Sequence, residues 1–219
     1  MSVINFQNKQ EFMKPTIYNT RYASTKNYWD FKPSNMAYKT LELLPPIKRK
    51  MRLLDIGCGE GANAIFFAKN GFEVTAFDLS EIGIQKTKVN AREHGVEINV
   101  FQADINEVEL DSNFDVIFSS GTLQYLTPER RESFVKQIQS ITNSDGLHNL
   151  HTFVKKPFIK IAPDAEENEN LWQSGELLFF YKDWKEESFI EEIKPCHSSG
   201  VLHEHAHNRI WARKIMVKI

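Results

Sequence analysis

Three aspartates and a cluster of glycines carry the first chemistry in this sequence. Leu53-Leu54-Asp55-Ile56-Gly57-Cys58-Gly59-Glu60-Gly61 runs an apolar stretch into an acid and then into a glycine-dense turn. Asp78 follows Val74-Thr75-Ala76-Phe77, and Asp104 follows Val100-Phe101-Gln102-Ala103. Each acid therefore stands at the end of an apolar run. Glycine reaches backbone conformations closed to other residues and lets a bulky ligand approach the main chain. Free N–H groups where a helix begins favour an anion or an acceptor. A carboxylate about 20 residues past such a loop can accept from both hydroxyls of a ribose, which assigns that task to Asp78. Asp104 beside it can accept from an adenine amino group. Asp55 can orient the loop or meet an ammonium. The constellation reads as the cradle of a nucleotide-like cofactor.

Two cofactors fit a glycine loop with a ribose acid. A dinucleotide needs G-x-G-x-x-G, whose third glycine lets helix and strand pack closely. Here Gly57, Gly59 and Gly61 bring the third glycine one position early, and Glu60 adds negative charge where a pyrophosphate would lie. S-adenosylmethionine has no phosphate and offers an ammonium, a carboxylate, a ribose and an adenine. An acid-rich loop suits it better, so the reading is S-adenosylmethionine, with a nicotinamide dinucleotide as the alternative. Cys58 reads as a small loop residue facing that cofactor rather than a nucleophile, having no assigned histidine partner. Trp29, Tyr125 and Tyr181 offer aromatic faces to a sulfonium, or are plain packing.

The elements that position these residues alternate. Strands are expected at about 51–56, 73–77, 98–103, 114–119 and 147–154. Helices are expected at about 34–44, 62–70, 81–94 and 128–141, with Ser80 and Thr127 as caps. Apolar strands alternating with helices indicate a parallel sheet covered on both faces. Ligands bind such a sheet outside the carboxyl ends of its strands, where Asp55, Asp78, Asp104 and Ser119-Ser120-Gly121 lie. Two late strands, about 188–194 and 208–217, follow one another without a helix and suggest an antiparallel hairpin at the sheet edge. The fold is thus α/β: a Rossmann-like, mostly parallel seven-stranded sheet with helices on both faces and a C-terminal hairpin. Residues 1–32, rich in Tyr and Trp, form either an irregular arm pinned by aromatic burial or a lid; residues 33–219 form the domain. The acidic run around Glu166 and Glu167 reads as a solvated loop.

At this point the residues resemble a family. Leu53 to Gly61, Phe77-Asp78-Leu79-Ser80, Ala103-Asp104-Ile105 and Phe114-Asp115-Val116-Ile117 are similar to the motifs of class I S-adenosylmethionine-dependent methyltransferases. That resemblance implies that Asp55, Gly57, Cys58, Gly59 and Gly61 lie at the methionine part and that Asp78 with Leu79 takes the ribose. It places Asp104 and Ile105 at the adenine, with Ser120 and Trp29 completing the site. His151 to Phe158, Gly175 to Trp184 and Asn208 to Lys214 resemble the tellurite-resistance, TehB-like group, which acts on soft chalcogen oxyanions. In that group a His and an Arg near the hairpin handle substrate, and His203 and Arg209 occupy the matching positions, with Glu204 where an Arg is common. Tyr181 joins them as a catalytic candidate. A soft nucleophile needs little general-base help, whereas a hydroxyl or amine acceptor would need a histidine. Arg209 would bind an oxyanion through its planar fork, or form an ordinary surface ion pair.

Spacing of two places His203, His205 and His207 on one face if the segment is extended. With Cys196 nearby a metal is conceivable, but a polar substrate rim is the reading adopted, with no metal in the site. The formal net charge of -2 gives no basic field for nucleic acid. No apolar run reaches the roughly 18 residues of a membrane span. The start has no signal-peptide layout, and two distant cysteines point to a reducing cytoplasm. The partner expected is a small molecule, and the sequence leaves the oligomeric state open. Asp78→Ala is expected to weaken S-adenosylmethionine binding in titration calorimetry; unchanged affinity in a folded variant would remove the ribose assignment.

Overall fold

The computed structural model describes residues 16–215, except 25, 30, 47, 48, 164, 198 and 199. The first part of the expected arm, residues 1–15, and the end of the last expected strand, residues 216–217, lie outside the described residues. Seven strands form one sheet: β1 (Arg52–Ile56), β2 (Glu73–Asp78), β3 (Asn99–Gln102), β4 (Phe114–Ser120), β5 (Thr142–Val154), β6 (Lys185–Cys196) and β7 (His203–Arg213). Their order is β3-β2-β1-β4-β5-β7-β6. The first five are parallel, and β7 runs antiparallel between β5 and β6.

Parallel strands buried on both faces must be apolar at successive positions, and β1 shows why. Leu53 packs with Val74, Val116 and Phe118 on one face, while its neighbour Leu54 packs with Phe77, Ile117 and Leu150 on the other. Helices α2 (Asn35–Leu43), α3 (Ala62–Lys69) and α4 (Glu81–Glu93) supply Ala37, Phe67 and Ile84 to the first face. Helix α5 (Pro128–Ser140) and the short α6 (Glu176–Phe179) supply Phe134, Ile138 and Leu177 to the second. Ser34 and Ser80 cap α2 and α4 as expected, each accepting from a backbone N–H of the first turn. Thr127 occupies the N-cap of α5 without a side-chain bond.

Three segments differ from the sequence reading. Helix α1 (Ile17–Tyr22) forms inside the arm and buries Tyr22. The fifth strand, expected from about Leu147, begins at Thr142 instead, with Asp145 at φ 65 before Gly146 absorbed as an irregularity inside the longer β5. The histidine segment is strand, so β7 begins at His203 rather than near Asn208. In the irregular stretch after β5, Trp172 is fully buried and its indole N–H donates to the Leu123 carbonyl at 2.8 Å. Among the described residues no helix is long and apolar enough to cross a membrane.

One carboxylate ties the far side of the sheet together. Asp115 on β4 accepts from the Arg49 guanidinium at 2.9 and 2.5 Å, from the Arg52 amide at 2.9 Å and from Asn143 at 2.8 Å. Burial alone would raise this carboxyl; Arg49, the Arg52 amide and Asn143 outweigh burial and hold it down to about 2. A carboxyl lowered on folding stabilises above its unfolded value of about 3.9 and loses that contribution as pH falls toward its folded value. Urea unfolding between about pH 4 and about pH 2 is therefore expected to show a steeper loss of stability in the wild type than in Asp115→Asn. Parallel pH profiles of the two chains would contradict it.

Candidate active site

A cavity of about 710 Å3 opens at the carboxyl ends of β1, β2 and β4 and beyond the end of β3. The strand order reverses between β1 and β4, where the connections from the two strands leave in opposite directions. That divergence leaves a crevice, the usual ligand position in such sheets. One wall carries Gly57, Cys58, Gly59, Asp78, Leu79, Asp104, Ile105 and Ser120. Eight of the expected cofactor residues thus meet on one surface, although they come from four separate stretches of chain, and Trp29 joins them from the arm.

The loop's shape has identifiable causes. Gly57 has φ +74, and a Cβ there would lie 1.9 Å from the Thr122 hydroxyl, so only glycine fits. Gly61, at φ +91, is the N-cap of α3 and is not on the cavity wall. Asp78 accepts from the Gly59 amide at 2.8 Å through one oxygen and from the Ser80 amide at 2.8 Å through the other. Burial raises its carboxyl, and these N–H groups oppose the rise. Asp55 is fully enclosed below the loop and off the cavity wall. Burial and then the Asp78 charge push it up to about 8, while the Ala64 amide donates to it. Of the two tasks read from sequence, its position fits orienting the loop rather than meeting a ligand. Burial raises the Cys58 thiol well above its ordinary value, which keeps it protonated and agrees with a packing residue.

The arm closes over this wall, and Glu60 holds it there. The Glu60 side chain is buried, with one oxygen 2.7 Å from Lys86 Nζ and the other accepting from the amides of Tyr28 at 2.8 Å and Trp29 at 3.3 Å. Lys86 offsets its charge, so Glu60 bears less on a bound phosphate than the sequence reading supposed; the glycine spacing remains the stronger discriminator. Tyr18, Arg21, Tyr22 and Trp29 from the arm all line the cavity. Arg21 pairs with Glu166 at 2.8 Å, and Tyr125 Oη lies 3.3 Å from both Tyr18 Oη and the same Glu166 oxygen. The acidic run is therefore not simply a solvated loop: its Glu166 fastens the arm from the far side. Nothing in the local sequence reveals this pair, whose partners lie 145 residues apart.

The wall formed by the antiparallel strands carries His151, Phe153, His205 and Cys196. His151 on β5 is the residue that sequence reasoning passed over. Its Nε2 lies 2.8 Å from Nδ1 of His207, and its buried Nδ1 has no hydrogen-bond partner. Burial, then the neighbouring His207 and Arg209, depress it well below the ordinary histidine value, and His207 falls to about 4 by burial first. Both are neutral at physiological pH. The three catalytic candidates from sequence are not on the cavity wall. Tyr181 is buried in the core and its hydroxyl lies 2.7 Å from Nδ1 of His148, so its ring is not available to a sulfonium. Arg209 is ion-paired with Glu192 across the hairpin, the alternative that the sequence left open. His203 sits at the outer end of β7, with Nε2 2.9 Å from Nε2 of His205. Alternation along β7 does place His203, His205 and His207 on one face, because β7 pairs with β6 in unbroken register from His203 to Trp211.

Known proteins resemble this chain in sequence and in fold. The family model described as tellurite resistance protein TehB matches residues 12–216. A probable S-adenosyl-L-methionine-dependent methyltransferase TehB from Haemophilus influenzae (strain 10810) is 28% identical over 148 residues, covering 68% of this chain and 51% of its own. A putative methyltransferase from Geobacillus sp. (strain WCH70) is 39% identical, covering 66% of this chain and 67% of its own. The chain thus spans about half the length of the Haemophilus relative. The crystal structure of TehB from Haemophilus influenzae superposes with a TM-score of 0.74 at 22% identity, over 90% of this chain and 65% of that one. A Burkholderia thailandensis 1,6-didemethyltoxoflavin-N1-methyltransferase, crystallised with 1,6-didemethyltoxoflavin and S-adenosylhomocysteine, superposes with a TM-score of 0.66 at 18% identity, over 91% of this chain and 86% of that one. Both superpositions show the fold.

Glu60→Ala removes the acceptor for two arm amides and the partner of Lys86. Limited trypsinolysis is expected to cut at Arg21 and Lys26 faster in this variant than in the wild type. Equal cleavage rates would show that Glu60 does not hold the arm.

Proposed function

We propose, given that this chain belongs to the tellurite resistance protein TehB family, that it is an S-adenosylmethionine-dependent methyltransferase acting on a small, soft acceptor. The acceptor class is a tellurium or selenium oxyanion. One observation carries this reading: a single cavity joins the strand-end acids Asp78 and Asp104 on one wall to His151, His205 and Cys196 on the other.

The donor fits the first wall on structural grounds. Each Asp78 oxygen accepts one backbone N–H, so each keeps a second lone pair for a ribose hydroxyl. Asp104 accepts from the Asn106 amide through one oxygen and stands beside Ile105, a polar edge and an apolar face suited to an adenine. Gly57 to Gly59 and Ser120 would border the methionine part, and Trp29 would cover it from the arm. When bound, S-adenosylmethionine supplies a methyl on a sulfonium, whose positive charge is lost in an in-line displacement.

The chain's own residues do the rest. The described part of the arm, from Thr16 to Lys32, serves as the lid of the domain and limits water at the reacting centre. His151 lines the cavity, its Nδ1 packed beside Gly121, and a small shift of the ring would let that nitrogen exchange a hydrogen bond with the acceptor. His207 behind it fixes the imidazole ring. His203 acts as a positioning residue through His205, whereas Arg209, paired with Glu192, and Tyr181, bonded to His148 in the core, stand away from the acceptor. A selenium(IV) or tellurium(IV) lone pair attacks without prior loss of a proton, which agrees with a site whose histidines are hydrogen-bonding neutral groups.

A product assay with methyl-labelled S-adenosylmethionine against tellurite, selenite, small thiols, and hydroxylated or amine compounds tests the reading. Methylated chalcogen products are expected from the oxyanions. Turnover confined to hydroxyl or amine acceptors would overturn the acceptor class. His151→Ala is expected to lower kcat/KM by about 10- to 100-fold, the worth of one strong hydrogen bond, with cofactor affinity retained.

A further inference from the structure

The last hairpin gathers a thiol and two imidazoles at one point. Cys196, the final residue of β6, stands directly across from His203, the first residue of β7, and His205 follows two positions later on the same face. One ligand atom from each of the three lies within 4.8 Å of the others, and all three residues are half-buried. His203 Nδ1 is 2.7 Å from the Val201 carbonyl oxygen. A carbonyl only accepts, so Nδ1 carries the proton and Nε2 turns its lone pair toward the cluster. Such a carbonyl partner is what metal-ligating histidines characteristically have behind them.

We propose that Cys196, His203 and His205 form a three-ligand Zn2+ site whose fourth position faces the cavity. One thiolate with two imidazoles is a donor set for a borderline metal such as zinc. Three protein ligands with one open position is the arrangement of zinc sites that admit an external ligand. The two Nε2 atoms are 2.9 Å apart. Tetrahedral zinc bonds would set them about 3.3 Å apart and bring the sulfur to about 3.6 Å from each, adjustments within side-chain reach. Cys196 and His205 line the cavity, so a metal there shares its wall with the acceptor. Lys194, across from His205, is the neighbouring cation, and Glu192 holds its ammonium at 3.0 Å. Two strands fix the spacing of all three ligands, which a loop would leave to chance. The site needs no methyl donor and stands apart from the methyl-transfer reading.

The untagged full chain, stripped with a chelator, is titrated with Zn2+ by competition against a chromophoric chelator and with Co2+ by absorption spectroscopy. One equivalent of each metal is expected to bind. The Co2+ form should show a thiolate-to-metal charge-transfer band with tetrahedral d–d bands. Cys196→Ala should lose the charge-transfer band and weaken Zn2+ binding at least about 100-fold, since loss of an outer partner alone costs 10- to 100-fold. His205→Gln should weaken binding comparably, and Cys58→Ala should keep the band. No stoichiometric uptake by the wild type, or a charge-transfer band that survives Cys196→Ala, would overturn the site. S-adenosylmethionine titration of the stripped chain reports the methyl-donor site separately, so failure of either reading is distinguishable.

Discussion

The Asp78 carboxylate is the constraint on which the cradle depends. It bridges the Gly59 amide of the first loop and the Ser80 amide that begins α4. Two turns from separate βα units are thereby held by one pair of oxygens. Without a carboxylate there, two amides at a buried surface would lack acceptors, each at about 1–3 kcal/mol. The loop it shapes also makes room for its neighbours. Gly57 accommodates Thr122 from the turn after β4, and Thr87 on α4 donates to the Gly59 carbonyl at 2.9 Å. Strand, loop and helix are thus mutually fixed before any ligand arrives.

On that base a second layer is added by charge. Glu60 lies between Gly59 and Gly61 and reaches outward to Lys86 and to the arm's backbone. Arg21 and Glu166 fasten the same arm from across the cavity. Both pairs are largely withdrawn from solvent, which reduces screening by salt and makes their partners matter more than those of surface pairs. Between these polar anchors Tyr22 is buried, while Tyr28 and Trp29 stay partly open to solvent.

The hairpin contributes a different kind of order. Its antiparallel register sets Cys196 opposite His203 and His207 opposite Phe153, and it draws His151 into a chain of imidazoles reaching from the sheet edge to the cavity. Burial keeps His151 and His207 neutral. A row of hydrogen-bonding imidazoles beside the acid-lined cradle is the feature that separates this cavity from a plain nucleotide pocket.

The sheet, its helices and the glycine-and-aspartate wall of the cavity were legible in the residues because their signals are local. Apolar runs ending in Asp55, Asp78 and Asp104 identify strands and their ends, and glycine spacing identifies the loop. Serine at positions 34 and 80 announces helices that begin there. Those signals act over a few residues, where backbone sterics and turn chemistry decide. Three features were settled only by packing at long range. The arm's closure depends on Glu60 and Glu166 meeting partners far away in sequence. The place of His151 depends on β7 inserting between β5 and β6, which no local pattern dictates. The histidines after Gly200 become strand because cross-strand pairing supplies the hydrogen bonds that polar residues would otherwise take from water. By itself the sequence determined the fold class and the acids that face the crevice. Tertiary structure decided which side chains share the cavity with them, because register and docking are properties of paired segments rather than of either segment alone.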